Sequence, residues 1–206
     1  GPDIVARNPT GYGVGIRANT ADIVGGKVEG VLFDRNGATG LYAGTQSGRT
    51  LSGLVVGDCT FTFNGNNVAL DPHSPQGDGL HSMYVGGGAG ITTNVTVRDC
   101  VASDSQNGQA FQGGGGLRNS VFLRCSAFRV KKTGSLSASS YAGFGIFSSF
   151  QGTSGIVFDV CRVEDSDGYA FKAIGGATGT VKNSSWVRCA LGGLYLLADG
   201  GGNTGA

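Results

Sequence analysis

The sequence is short of charge, proline, tryptophan and histidine: 14% of its 206 residues are Asp, Glu, Lys or Arg, with four prolines, one tryptophan and two histidines. Each shortage excludes something. Fifteen basic against fourteen acidic side chains leave a net charge of +1, so no basic stripe marks a nucleic-acid binder and no charged tail marks an electrostatic anchor. No apolar run approaches the roughly 18 residues of a membrane span, so neither nucleic acid nor membrane is an expected partner. Apolar residues at helical period are almost absent. No CxxC pair and no Cys-His cluster offers a metal site, and neither a Ser-His-Asp phrase nor a nucleotide fingerprint is present; no cofactor is expected. The opening Gly1-Pro2 reads as a tag-cleavage scar and residues 201–206 as a loose tail, on a single domain spanning 1–206.

What the chain has in abundance is glycine, 40 residues. Without a G-X-Y period, and with so little proline, glycine here punctuates turns. Between the glycines stand short β-branched and aromatic runs such as Gly53-Leu54-Val55-Val56, Asn94-Val95-Thr96-Val97 and Gly155-Ile156-Val157-Phe158, which are strand signals. The five cysteines close a repeated phrase: Val55-Val56-Gly57-Asp58-Cys59, Thr96-Val97-Arg98-Asp99-Cys100, Val121-Phe122-Leu123-Arg124-Cys125, Val157-Phe158-Asp159-Val160-Cys161 and Ser185-Trp186-Val187-Arg188-Cys189. Leu32-Phe33-Asp34-Arg35-Asn36 is an earlier copy with Asn in the cysteine slot. From 36 through 59, 100, 125 and 161 to 189 the spacings are 23, 41, 25, 36 and 28, a unit of about 23 to 28 residues stretched twice by insertions. Such a period marks a solenoid.

A second strand is read after each turn: Leu41-Tyr42-Ala43, Val68-Ala69-Leu70, Gln109-Ala110-Phe111, Phe144-Gly145-Ile146, Tyr169-Ala170-Phe171 and Leu194-Tyr195-Leu196. Its first and third positions point inward. Stacked coils of two or three short strands predict an all-β, right-handed single-stranded parallel β-helix of about six or seven coils with two loop insertions, and this pattern resembles the pectate-lyase-like superfamily. The cysteines then form an inward packing ladder. The charged residues just before them line an outer edge where opposite charges pair between coils.

The outward second positions read Tyr42, Ala69, Ala110, Gly145, Ala170 and Tyr195, a shallow trough of small residues between two tyrosines, suited to a sugar chain. The insertions, about Ser74 to Thr92 and Lys131 to Tyr141, are expected to rise on opposite sides of it, where long loops on a rigid stack carry binding sites. The first opens with Asp71-Pro72-His73, which resembles the Asp-Pro-His motif of mannuronan C5-epimerases; Val68 stands where that family has a tyrosine. The resemblance implies catalytic roles for Asp71 and His73.

Removing the C5 proton of a uronate needs a base and a group that neutralises the sugar carboxylate. His73 suits the base. Asp71 would orient it or hold a carboxylate-neutralising proton, and Lys172, Lys131 or Lys132 would meet the substrate acid; Tyr141, Tyr84 and His81 are candidates for the proton donor. Tyr42, His81, Gln112, Lys131, Lys132, Tyr141, Lys172 and Tyr195 are the expected substrate contacts. The expectation is an extracellular polysaccharide-binding protein with lyase or C5-epimerase chemistry on a uronate-containing glycan. Its rivals are a phage-tailspike type of glycan-binding or hydrolysing domain, a homotrimer in that case, and a non-catalytic adhesin segment.

Overall fold

The computed structural model describes residues 4–65, 81–87, 89–106, 108–132, 141–148 and 152–197, and all regular structure among them is β. Strands of two to seven residues alternate inward apolar with outward polar side chains, the period-two pattern that buries one face. They assemble into three parallel sheets.

Sheet A orders β1 (Ile4–Ala6), β5 (Val31–Asp34), β9 (Thr60–Thr62), β13 (Val101–Ser103), β16 (Ser126–Phe128), β19 (Arg162–Ser166) and β22 (Ser185–Cys189). Sheet B orders β2 (Val14–Ala18), β6 (Leu41–Thr45), β10 (Met83–Gly86), β14 (Gln109–Gly114), β17 (Ala142–Phe147), β20 (Tyr169–Ile174) and β23 (Gly192–Leu197). Sheet C holds β3 (Ile23–Val24), β4 (Lys27–Glu29), β7 (Thr50–Ser52), β8 (Val55–Gly57), β11 (Ile91–Thr93), β12 (Thr96–Arg98), β15 (Leu117–Leu123), β18 (Ser154–Asp159) and β21 (Gly179–Lys182). The chain runs B, C, A and back to B in every coil, so β2 to β5 form the first coil, β6 to β9 the second, β10 to β13 the third, and β14, β17 and β20 open the fourth to sixth. This is the parallel β-helix that the spacing predicts.

Its interior is a column of aromatic rings. Phe111, Phe144 and Phe171 stack at 5.0 and 5.3 Å on sheet B, Phe122 and Phe158 at 5.0 Å on sheet C, and Phe144 meets Phe158 edge-on at 5.4 Å. Each ring is nearly inaccessible. Burial of such a side chain stabilises by about 1.5–3 kcal/mol, and ring geometry adds about 0.5–1.5 kcal/mol per pair.

The corners explain the repeated phrase and correct its register. At the passage from C to A, Asp58, Asp99, Arg124, Val160 and Asn183 have φ of 51 to 55°, and the next residue turns inward. Cys59, Cys100, Cys125 and Cys161 follow there as free, buried thiols. The Cys100, Cys125 and Cys161 thiols each donate to a carbonyl of the preceding coil, Val56, Val97 and Phe122 respectively. The Cys125 contact pushes the Cys100 thiol up to about 12, and burial pushes Cys161 up to about 11; both are inert packing groups.

The passage from A to B uses the same turn, with Arg35, Phe63, Asp104, Arg129, Asp165 and Arg188 at φ of 51 to 59°. Asn36 and Cys189 belong to that second corner, not to the cysteine ladder. The Asn36 amide nitrogens, backbone and side chain, donate to Asn64 Oδ1 at 3.1 and 2.7 Å, while Cys189 pairs in register with Ser166. Ser184 stands next to the thiols instead, accepting from the Cys161 amide.

Charge is stitched between coils along these corners, as expected from sequence, but on two edges where one was expected. Arg98 bridges Glu29, Asp58 and Asp99, and Asp99 takes Arg124. On the other edge Arg129 grips Asp104 through two hydrogen bonds of 2.7 Å, and Arg188 holds Glu164 and Asp165.

Most of both insertions, residues 66–80 between β9 and β10 in the sequence and residues 133–140 between β16 and β17, lies outside the described residues. The expected strand Asn67–Leu70 lies outside the described residues; β10 holds its place in sheet B, pairing Tyr84 with both Tyr42 and Gln112.

Candidate functional site

Sheet B presents its outer surface in rows set by register. The central row runs Gly15, Tyr42, Tyr84, Gln112, Gly145, Lys172 and Tyr195. The anticipated trough of four small residues is therefore overturned. Ala110 and Ala170 are wholly buried, because the ladder skips the Ala110–Gly143 and Gly143–Ala170 pairs and restores the alternation two residues later. Gln112 and Lys172 take the outward places.

At one end Tyr42 and Tyr84 stack at 5.1 Å, nearly parallel, and Tyr12 lies 5.4 Å from Tyr42. Arg17 places its guanidinium 4.8 Å above Tyr42 and 5.3 Å from Tyr12, a cation–π arrangement of about 0.5–1 kcal/mol at an exposed position. Glycine beneath the rings makes room: a Cβ on Gly44 would stand 2.8 Å from the Tyr42 hydroxyl oxygen, and one on Gly86, at φ +153°, 1.6 Å from the Gly114 carbonyl oxygen. Burial raises the pKa of both Tyr84 and Tyr42. The two phenols stay protonated at neutral pH and serve as hydrogen-bond groups, not as bases.

Towards the other end, Gln109 lies across Gly145, where an added Cβ would meet its Cγ at 2.8 Å. Gln109, Gln112, Gly145, Phe147 and Lys172 line a hollow of about 10 Å³. Gln112 is 2% exposed and its Oε1 has no hydrogen-bond partner. Lys172 is 8% exposed. Tyr195 closes the row, stacked on Tyr169 at 4.5 Å.

The electrostatics of this surface set it apart. None of the seven strands of sheet B contains Asp or Glu, and their only Lys or Arg residues are Arg17 and Lys172. Arg17 makes no ion pair among the described residues.

Of the expected contacts, register brings Tyr42, Gln112, Lys172 and Tyr195 into one row. His81 flanks them, 1% exposed, with its ring 5.9 Å from Tyr84. Tyr84, expected on a loop, belongs to the row on strand β10. Tyr141 is fully buried, immediately before strand β17 and outside the row. Lys131 and Lys132 lie at the corner instead, engaged with Asp167 through a 3.6 Å ion pair and a backbone hydrogen bond. Asp71 and His73 lie outside the described residues. Arg17 and Gln109 were not anticipated. The repeated aromatic-x-Gly of Tyr42-Ala43-Gly44 and Tyr84-Val85-Gly86 is the signal that would have placed β10 beside β6.

With three parallel sheets in place, the family described as right handed beta helix region matches residues 11–204. The chain belongs to that family. No curated protein matches it. Within a right-handed β-helix, chemistry is carried by the outer surface and its loops, since the interior is a closed aromatic column; among the described residues, no cluster of His, Cys, Asp and Glu is arranged to hold a metal ion.

Proposed function

We propose that this β-helix binds an anionic polysaccharide along the outer face of sheet B and acts on it by lyase or C5-epimerase chemistry. The observation that carries the reading is the charge of that face: two cations and no carboxylate over seven strands. Tyrosine and glutamine supply the amphipathic and hydrogen-bonding groups that saccharides need. A polyanion meets no fixed negative charge on the described strands of that sheet, whereas the corners of sheets A and C carry carboxylates in four of the six coils.

The reaction follows the chemistry of a uronate. His73 takes the C5 proton while the carboxylate is neutralised by a neighbouring cation or acid. In a lyase the electron pair forms the C4–C5 double bond and expels the glycosidic oxygen, which takes up a proton. In an epimerase the carbanion regains a proton on the opposite face. Asp71 positions the base. Extracellular placement follows from a polymeric substrate of this kind.

The test is a panel of uronate polymers, read by ultraviolet absorbance of unsaturated ends and by proton NMR for inversion at C5. His73→Ala and Asp71→Asn are expected to abolish turnover and to leave polymer binding in place. Unchanged turnover in both variants overturns the catalytic assignment, and failure of any anionic polymer to bind overturns the surface.

A further inference from the structure

We propose that copies of this chain stack head to tail, the last described strands of sheets A and B in one copy pairing with the first strands of the same sheets in the next. In a solenoid each coil buries its inward side chains only against its neighbours, so a terminal coil left uncovered needs a polar end face. The last described coil presents an apolar one. Trp186, Leu194 and Leu196 pair in register with Val163, Phe171 and Ala173, which makes them inward core positions, yet they are 49%, 56% and 65% exposed. A cavity of about 260 Å³ opens at the same end, between Phe158, Phe171, Val181, Leu194 and Leu196. Strand β23 adds an edge of six residues, Gly192–Leu197, with neither a charge nor a proline to discourage pairing.

The other end of the same chain supplies the matching surface. Followed from coil to coil, the pairing ladders put Trp186 at the position of Ala6, Leu194 at that of Val14 and Leu196 at that of Ile16. Ala6, Val14 and Ile16 pack on the core but are only partly buried. A second copy one strand spacing further on, about 4.8 Å, sets β1 on β22 and β2 on β23 with the parallel polarity and the register that the chain uses internally. Trp186 then covers the small Ala6, while Leu194 and Leu196 meet Val14 and Ile16. Tyr195 falls over Gly15, where an added Cβ would find nothing within 4 Å. Sheet C makes no direct pair at the join, because its next strand would follow β23. Arg188 and Arg7 come to one corner, each already held by acids of its own copy. The two surfaces differ and the step runs along the solenoid axis, so the contact does not close on itself: it builds a filament, not a two-fold dimer. Each join carries the outer row of sheet B from Tyr195 on to Gly15 and Tyr42 of the next copy.

The experiment is sedimentation equilibrium of the full chain over roughly 1–100 µM, as wild type, as Leu196→Glu at one end and as Ile16→Glu at the other. The wild-type mass is expected to climb past that of a dimer as concentration rises, and each variant alone to associate at least about tenfold more weakly. An equimolar mixture of the two variants keeps one intact surface of each kind, so it should form heterodimers and stop there. A wild-type monomer at about 100 µM overturns the proposal, and is the result expected if residues 198–206 or another protein covers the apolar end. A mass that levels off at a dimer overturns it too. So does a folded Ile16→Glu protein that assembles like wild type, the mark of two last coils meeting face to face. Should Ile16→Glu fail to fold by circular dichroism, Leu196→Glu, at a largely exposed position, decides: unchanged growth of that variant overturns the head-to-tail contact.

Discussion

The outer face of sheet B and the outer corners of sheets A and C are built on the same coils, over the same interior, yet they solve opposite problems. At the corners every charge is answered by another: Arg98 lies among Glu29, Asp58 and Asp99, and Arg129 is clamped to Asp104. The described strands of sheet B carry two cations far apart, no Asp or Glu, and a buried glutamine oxygen without a donor. Stacking alone would favour the first arrangement everywhere, because opposite charges on adjacent coils attract. The strands of sheet B carry no such ladder of opposite charges, which suits the polysaccharide surface proposed for them.

The comparison requires both exteriors to share one interior, and the largest expected effect tests that. Phe144→Ala removes a ring packed against Phe111 and Phe171; it should cost about 3–5 kcal/mol in denaturant unfolding and weaken both exteriors together. Gly86→Ala forces a methyl against the Gly114 carbonyl and should cost about 1–3 kcal/mol, with loss of glycan binding out of proportion to the change in stability.

Arg17→Ala strikes sheet B alone: polymer affinity should fall by about tenfold at low salt, with the difference shrinking as salt rises, while the thermal midpoint barely moves. The mirror-image change, Arg129→Ala, should lower stability by about 0.2–1 kcal/mol and leave polymer affinity untouched. Equal effects of these two on binding would erase the distinction between the exteriors.

The smallest effect is in pH. Asp104 and Asp99 are held below the usual carboxylate range chiefly by hydrogen bonds from Arg129 and Arg124, and Asp165 by Arg188. A carboxyl whose folded pKa lies below its unfolded value stabilises the fold above that unfolded value, about 3.9, and stops doing so as pH falls through the folded one. The thermal midpoint should therefore be flat from pH 7 to about 5 and decline below about 4. Trp186, on sheet A, reports that loss by its fluorescence.

The sequence carried the solenoid and most of the inward pattern, because alternation and the left-handed corner are local: Val56, Val97, Phe122 and Phe158 are buried as expected. It also carried three of the seven positions of the central row, Tyr42, Gly145 and Tyr195. Gln112 and Lys172 were legible as chemistry but not as neighbours of Gly145, since the skipped pairs at Ala110 and Ala170 shift the alternation where no local signal marks it. Tyr84 was hidden behind a rival strand in the first insertion.

Taken alone, the sequence determined that short strands would wind into coils and that small or apolar groups would follow each tight corner. Only the tertiary structure decided which copy lies on which. Two corners of each coil use the same left-handed residue followed by an inward one, so Asn36 and Cys189 look like members of the cysteine ladder although they pack against Asn64 and Ser166. Lateral register is set by hydrogen bonds between paired residues such as Phe171 and Leu194 or Leu41 and Met83, which lie far apart in the sequence. It is that register, not any local phrase, that gathers three tyrosines, a lysine and a buried glutamine into one row on strands that contain no Asp or Glu.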